Sequence, residues 1–232
     1  MGFFQSTLKP ILDLSTLAGL KVVCNGDSIT AGTGSTAPIA TNGWFPQLCT
    51  QLGAVCVNQG VSSKTLQAVT SPYSGAGFNA YTTSNIPTFD NTYGLYIIAL
   101  GVNDSACNDP AVFTVANFEV VLRAAIDAAV AKGWPLTRLL ISAPTYFSQA
   151  GLNSYVGIGN ITTANTLAGV QLYRDACLRV AQLKNILFWD LSQPVINLGN
   201  RDTYLSDNVH PAMNYHSLIP TYVKTLTLGQ QG

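Results

Sequence analysis

The stretch "VVCNGDSIT", residues Val22 to Thr30, passes from a β-branched apolar run into a glycine, an acid and two hydroxyls. Its first half belongs to a strand-like run, Leu20 to Asn25. Four more runs share that character: Ala54 to Gln59, Gly94 to Leu100, Arg138 to Ala143 and Ile186 to Asp190. Each is nearly continuous in apolar residues and does not alternate, the pattern of strands covered on both faces in a parallel sheet. Helical periodicity fills the gaps. Between Pro110 and Lys132, residues Phe118, Val121, Leu122, Ala125, Ile126 and Ala129 recur at helical spacing, with Asp109 as an N-cap before a first-turn proline. Val170, Tyr173, Cys177 and Val180 do the same between Thr162 and Leu183, and shorter helices are predicted over Trp44 to Leu52 and Ala212 to Leu226.

Strands alternating with helices imply right-handed crossovers. The expected fold is therefore α/β: a three-layer α/β/α sandwich around a five-stranded parallel sheet, flavodoxin-like in outline. A chain of 232 residues fits one such domain, read here as residues 20–232 behind an N-terminal arm of residues 1–19. In such sheets chemistry gathers beyond the carboxyl ends of the strands, where "GDSIT" falls. The loops Thr70 to Asn91 and Thr145 to Asn160 are long enough to be expected to wall a site. Their tyrosine-rich portions, Tyr73 to Tyr81 and Thr145 to Tyr155, read as groove lining or as half-buried packing.

Composition narrows the partners. Eleven basic residues balance eleven acidic ones, and only 9% of the chain is charged, which leaves no electrostatic footprint for nucleic acid or an anionic membrane. The apolar runs are far shorter than the roughly 20 residues of a spanning helix. Residues Met1 to Gly19 lack the basic start and continuous apolar core of a signal peptide, so none is expected there. Scarce charge with abundant Ser, Thr, Asn and Gly has the flavour of secreted or virion-borne proteins. The five cysteines, Cys24, Cys49, Cys56, Cys107 and Cys177, are odd in number and form no C-x-x-C pair. Cys49 and Cys56 either meet across a helix-to-strand turn or serve as small buried hydrophobes. No metal, phosphate-loop or flavin site is read, and "AGTGSTA", Ala31 to Ala37, misses the spacing of a dinucleotide loop. No cofactor is expected.

Four segments carry chemistry: "GDSIT" after the first strand, "NQGVSSKT" after the second, "GVNDSACND" after the third, and "DNVHPAMNYH" near the C-terminus. A serine becomes a useful nucleophile when a neighbouring histidine takes its proton and an acid fixes that histidine's tautomer. The chain has two histidines, and His210 stands three residues after Asp207, within a turn's reach of its carboxylate. His216, on the last helix, is read as structural or partly exposed. Asp27 is expected to tie loops through backbone hydrogen bonds and Asp104 to support its loop; Asp109, Asp190 and Asp202 read as caps and turn residues.

Taken together, in this order and at strand ends, the four segments resemble the conserved blocks of the SGNH hydrolases, also called the GDSL esterase/lipase family. Gly26-Asp27-Ser28 matches the first block, with Ile29 where the family name has leucine. Gly60 matches the second-block glycine, while Ser63 stands where many members have a further glycine. Gly101-Val102-Asn103-Asp104 fits the G-x-N-D block, and Asp207-Asn208-Val209-His210 fits the terminal D-x-x-H block. The resemblance implies Ser28 as nucleophile, His210 as its base and Asp207 as the orienting acid. The oxyanion donors it implies are the backbone N–H groups of Ser28 and Gly60 and the side-chain amide of Asn103.

The implied activity is metal-free hydrolysis of small acyl esters, and the "GDSIT" form and compact size resemble the branch acting on O-acetylated carbohydrate. The expected partner is thus a small-molecule or carbohydrate ester. The competing expectation is an idle module of the same fold that binds a glycan or protein partner in a secreted or virion assembly. Retention of Ser28, Asn103 and His210 together speaks against it, since a binding module needs none of them.

Overall fold

A computed structural model describes residues 12–68, 78–107, 112–159 and 161–229 of the chain. Five strands form its central sheet: β1 (Lys21–Gly26), β2 (Val55–Asn58), β5 (Tyr93–Ala99), β6 (Leu139–Ala143) and β7 (Leu187–Asp190). They lie in the order β2-β1-β5-β6-β7, and every pairing is parallel. After β1 the chain steps outward to β2 and then crosses back to β5 on the other side of β1. The strand order reverses there, so a crevice opens at the carboxyl ends of β1 and β5. Two very short strands, β3 (Lys64–Thr65) and β4 (Asn79–Ala80), pair in parallel beside that crevice and were not anticipated from the sequence.

The period-two geometry of the strands divides their side chains between two cores. Val22, Cys24, Leu95, Ile97 and Leu140 face one layer, where Phe45 and Leu48 of α3 (Trp44–Leu52) and Tyr215, Ile219 and Val223 of α9 (Met213–Gly229) cover them. Val23, Tyr96, Ile98, Leu139 and Ile141 face the other, beneath α5 (Val115–Ala131) and α7 (Leu167–Lys184). Fully burying each such side chain contributes roughly 1.5–3 kcal/mol, so the three layers hold together mainly through these two apolar sheets of contact. Leu12, Leu14 and Leu17, at the start of the described chain, join the first core.

Several boundaries differ from the sequence reading. The α5 helix starts at Val115, where the Thr114 hydroxyl accepts the Asn117 N–H; the expected Asp109 cap lies outside the described residues. Likewise α7 starts at Leu167 behind a Thr166 cap bonded to Gly169 N–H. In both cases a threonine three residues before a free N–H displaces the earlier start signal. The β2 strand is not covered on both faces: it is the sheet edge, three of its four residues are exposed, and Val55 is 49% accessible. The loop after β6 contains a short helix, α6 (Gln149–Asn153). All five cysteines are free, four of them buried, and the Cys49 and Cys56 thiols are neighbours that interact across the α3-to-β2 turn. No helix among the described residues is long and apolar enough to cross a membrane.

Candidate active site

Ser28 opens α1 (Ser28–Ala31), one turn of helix directly after β1. A Cβ on Gly26 would lie 2.1 Å from Thr30 Oγ1, so only glycine lets that turn fold back so closely on the strand end. Asp27 is the N-cap, its carboxylate accepting the Ile29 N–H at 2.9 Å. It is buried, and burial pushes its pKa up to about 7 against the opposing pull of that hydrogen bond. As the first helical residue, Ser28 has an N–H with no carbonyl one turn back inside the helix to receive it.

The C-terminal block comes back over this turn. Ser28 Oγ lies 2.8 Å from His210 Nε2, and His210 Nδ1 lies 2.7 Å from Asp207 Oδ2. The other carboxylate oxygen accepts the backbone N–H groups of Val209 and His210, at 3.2 and 2.8 Å. Asn208 makes this tight turn possible by taking a left-handed conformation, φ +70°. Partial burial pushes the Asp207 pKa up, but the hydrogen bonds from His210 and Val209 and the imidazole itself outweigh it and hold the carboxyl below its ordinary value. An ionised Asp207 at Nδ1 requires that nitrogen to carry the proton, which leaves Nε2 free to accept one from Ser28.

The structure brings Asn103 to the same place and leaves Gly60 outside it. Asn103 sits in α4 (Val102–Ala106), directly after β5, and is buried. Its Nδ2 donates to Lys64 O at 2.9 Å, and its Oδ1 accepts from the Tyr155 hydroxyl at 2.8 Å. With Ser63, Phe78, Tyr155, Val209 and His210 it lines a cleft of ≈ 250 Å³. The Gly60 N–H is instead taken by Asn58 Oδ1 at 2.9 Å.

Gly60 has a packing role. A Cβ there would meet Ala31 N at 2.3 Å and Thr30 C at 2.7 Å, so the glycine lets the second loop press on the turn that carries Ser28. The residue missed by sequence reasoning is Ser63. It lines the cleft with φ +59°, and its N–H has no hydrogen-bond partner among the described residues. A serine standing where relatives of this pattern have glycine was the available signal, since glycine marks a position that needs positive φ.

The segment on the C-terminal side of Ser63 is tied down by buried polar groups. The buried Asp104 carboxylate accepts the N–H groups of Leu66 and Gln67, at 2.9 and 2.8 Å, while burial pushes its pKa up to about 6. Lys64, also buried, donates its Nζ to Asn25 Oδ1 and Gln59 O, both at 3.1 Å; burial lowers its pKa, and the nearby Asp27 charge opposes that. Asp27 and Asp104 thus act as loop ties, as the sequence suggests. Of the two readings open for His216 the structure takes the structural one: it is fully buried, with Nδ1 accepting Trp44 N–H and Nε2 facing Thr33 O, each at 3.1 Å.

A parallel α/β sandwich with a Ser-His-Asp hydrogen-bonded chain at its strand-order reversal defines a hydrolase-like fold and site. The GDSL-like lipase/acylhydrolase family model matches residues 24–216, and the chain belongs to that family. No curated protein matches the sequence. Among solved structures it is similar to a carbohydrate acetylesterase family member from Sinorhizobium meliloti, at 17% identity over 90% of this chain and 99% of that one, TM-score 0.64. A lipase/acylhydrolase from Enterococcus faecalis is similar at 17% identity, covering 89% and 96% of the two chains, TM-score 0.59. An alpha/beta hydrolase enzyme from the metagenome of Lake Arreo, Spain, shares 17% identity over 92% and 97%, TM-score 0.64. At these identities the likeness speaks for a common fold, the SGNH hydrolase fold.

Proposed function

We propose that the protein is a serine carboxylic-ester hydrolase that works through an acyl-enzyme on small acyl esters, with O-acetyl groups on carbohydrate as the favoured substrate. The observation that carries this reading is the continuous hydrogen-bonded chain from Ser28 Oγ through His210 to Asp207, opening on a small cleft. In the first step Ser28 Oγ bonds to the acyl carbon while its proton passes to His210 Nε2. The carbonyl oxygen becomes an oxyanion, met by the Ser28 N–H, the second Nδ2 hydrogen of Asn103 and, in place of the expected Gly60, the Ser63 N–H. Collapse breaks the ester C–O bond, and the leaving alcohol takes the proton back from Nε2. Water then repeats the sequence on the acyl-serine, releasing the acid and restoring Ser28.

Each well-aimed donor of this kind is worth about 3–4 kcal/mol of barrier, so three of them account for much of the needed acceleration. The small-acyl preference rests on the cleft volume and its short apolar wall of Phe78, Ile158 and Val209. The carbohydrate preference is supported by two structural neighbours described as carbohydrate acetylesterases, both from Sinorhizobium meliloti, at 17% and 15% identity. The test compares wild type with Ser28→Ala on p-nitrophenyl acetate, on longer aryl esters and on acetylated oligosaccharides. Ser28-dependent acetate release that falls with acyl length supports the proposal. Equal rates for the two proteins would leave the idle binding module as the better reading.

A further inference from the structure

The Asn103 side-chain amide has four hydrogen-bonding directions, two N–H donors and two lone pairs on Oδ1, and the fold uses one of each. Lys64 O can only accept, so the amide nitrogen must face it; Oδ1 is then left for a donor, which the Tyr155 hydroxyl supplies at 2.8 Å. A planar group pinned at both its oxygen and one N–H can neither flip nor swing. Its remaining N–H has no partner among the described residues, and Asn103 borders the cleft. Tyr155 is itself well held. It lies just beyond α6, 9% accessible, its N–H bonded to Leu152 O and its ring stacked toward Phe78 with centroids 6.4 Å apart. Burial, with several acidic neighbours adding to it, keeps the phenol protonated far beyond neutral pH, so the hydroxyl is a permanent donor.

We propose that Tyr155 is a positioning residue for the ester hydrolysis: by donating to Asn103 Oδ1 it aims the free Nδ2 hydrogen at the oxyanion and strengthens it as a donor. The proposal rests on the esterase reading above. A hydrogen bond into a carbonyl draws density from the amide nitrogen and makes the opposite N–H a better donor. The hydroxyl therefore acts through Asn103 and touches no reacting atom in this role. The same ring walls the cleft, so loss of the whole side chain would confuse two effects, whereas Tyr155→Phe removes only the donor.

The experiment is a double-mutant cycle on p-nitrophenyl acetate with wild type, Tyr155→Phe, Asn103→Ala, the double variant and Ser28→Ala as the baseline. Tyr155→Phe is expected to lower kcat about ten-fold, part of what loss of a whole oxyanion donor removes, with KM within about two-fold. In the Asn103→Ala background the same change is expected to have no further effect on kcat. An unchanged kcat, a rise in KM alone, or effects that multiply in the double variant would overturn the role of Tyr155 while leaving the Ser28-dependent reaction intact. Absence of any Ser28-dependent reaction in wild type would overturn both readings. Should Tyr155→Phe fail to fold because Oδ1 is left unpaired, Asn103→Ala and the double variant, which lack that oxygen, decide the matter: equal kcat supports the proposal and a further fall overturns it.

Discussion

Ser28 Oγ and His210 Nε2, separated by 182 positions in the chain, lie 2.8 Å apart. Their approach depends on the Asp207 turn, in which one carboxylate both caps the local backbone and holds the imidazole. Replacing His210 by Ala is therefore expected to lower kcat by about 10²–10⁴-fold, the usual contribution of a positioned general base, with the melting temperature nearly unchanged because the side chain is partly exposed. Asp207→Ala should reduce activity too and also loosen the turn, visible as a lower melting temperature. Steady-state kinetics beside thermal melts of the two variants check this; an active His210→Ala protein would refute the assignment.

Gly60 and Ser63 are expected to respond in opposite ways. Gly60→Ala drives a Cβ into backbone atoms at 2.3 and 2.7 Å, which cannot yield as a flexible side chain would. It should cost a few kcal/mol of stability and displace the turn bearing Ser28. Ser63→Gly relieves a non-glycine residue at φ +59° while keeping its N–H, so kcat should stay within about two-fold and stability should change by no more than about 1 kcal/mol. Denaturant melts and kcat check this, and Gly60→Ala decides: a kcat loss with stability unchanged would overturn its packing role and return its N–H to the site.

The features legible in the sequence are those governed by local physics. Continuous apolar runs such as Gly94 to Leu100 announce parallel strands of the central sheet, and Asp207 and His210 are close enough for a single turn to join them. The loop that carries Ser63 was less legible because its contacts come from distant parts of the chain. The Leu66 and Gln67 N–H groups that follow Ser63 are captured by Asp104, 38 and 37 residues further along the chain. The partner of Asn103, Tyr155, lies 52 residues along the chain. The burial of His216 was readable in principle: it stands beside Tyr215 and three and seven residues before Ile219 and Val223, on the apolar stripe of α9. Edge exposure of β2 was not, since strand order leaves no mark on a four-residue run.

His216 gives a stability prediction of defined sign. With Nδ1 accepting the Trp44 N–H the ring must be neutral, and burial lowers its pKa below the ordinary histidine value. Between the folded and unfolded pKa values the unfolded chain holds the extra proton, so stability falls as pH drops below about 6.5. His216→Gln should cost about 1–3 kcal/mol at pH 7.5, through a buried N–H or carbonyl left imperfectly paired, and should flatten the decline between pH 7 and 5.5. Urea midpoints for the two proteins at several pH values measure this; parallel curves would mean the ring is not titrating.

Asp27 must act in the opposite direction. Its folded pKa, raised to about 7 by burial, lies above the unfolded value of about 3.9, so in that window the folded protein holds a proton that the unfolded chain has lost. Its contribution is therefore fully present below about pH 4 and is lost as pH rises toward 7. Asparagine can still accept the Ile29 N–H as an N-cap but carries no charge to bury. Asp27→Asn should match wild type closely near pH 4 and become progressively more stable than it toward neutrality, by an amount of the order of a few kcal/mol. Because His216 is unchanged in both proteins, its opposing slope cancels in the difference curve, which isolates the carboxylate even where the two titrations overlap. A difference that stays constant from pH 4 to 7.5 would show that Asp27 is ionised throughout, with Lys64 and the backbone N–H groups fully offsetting its burial.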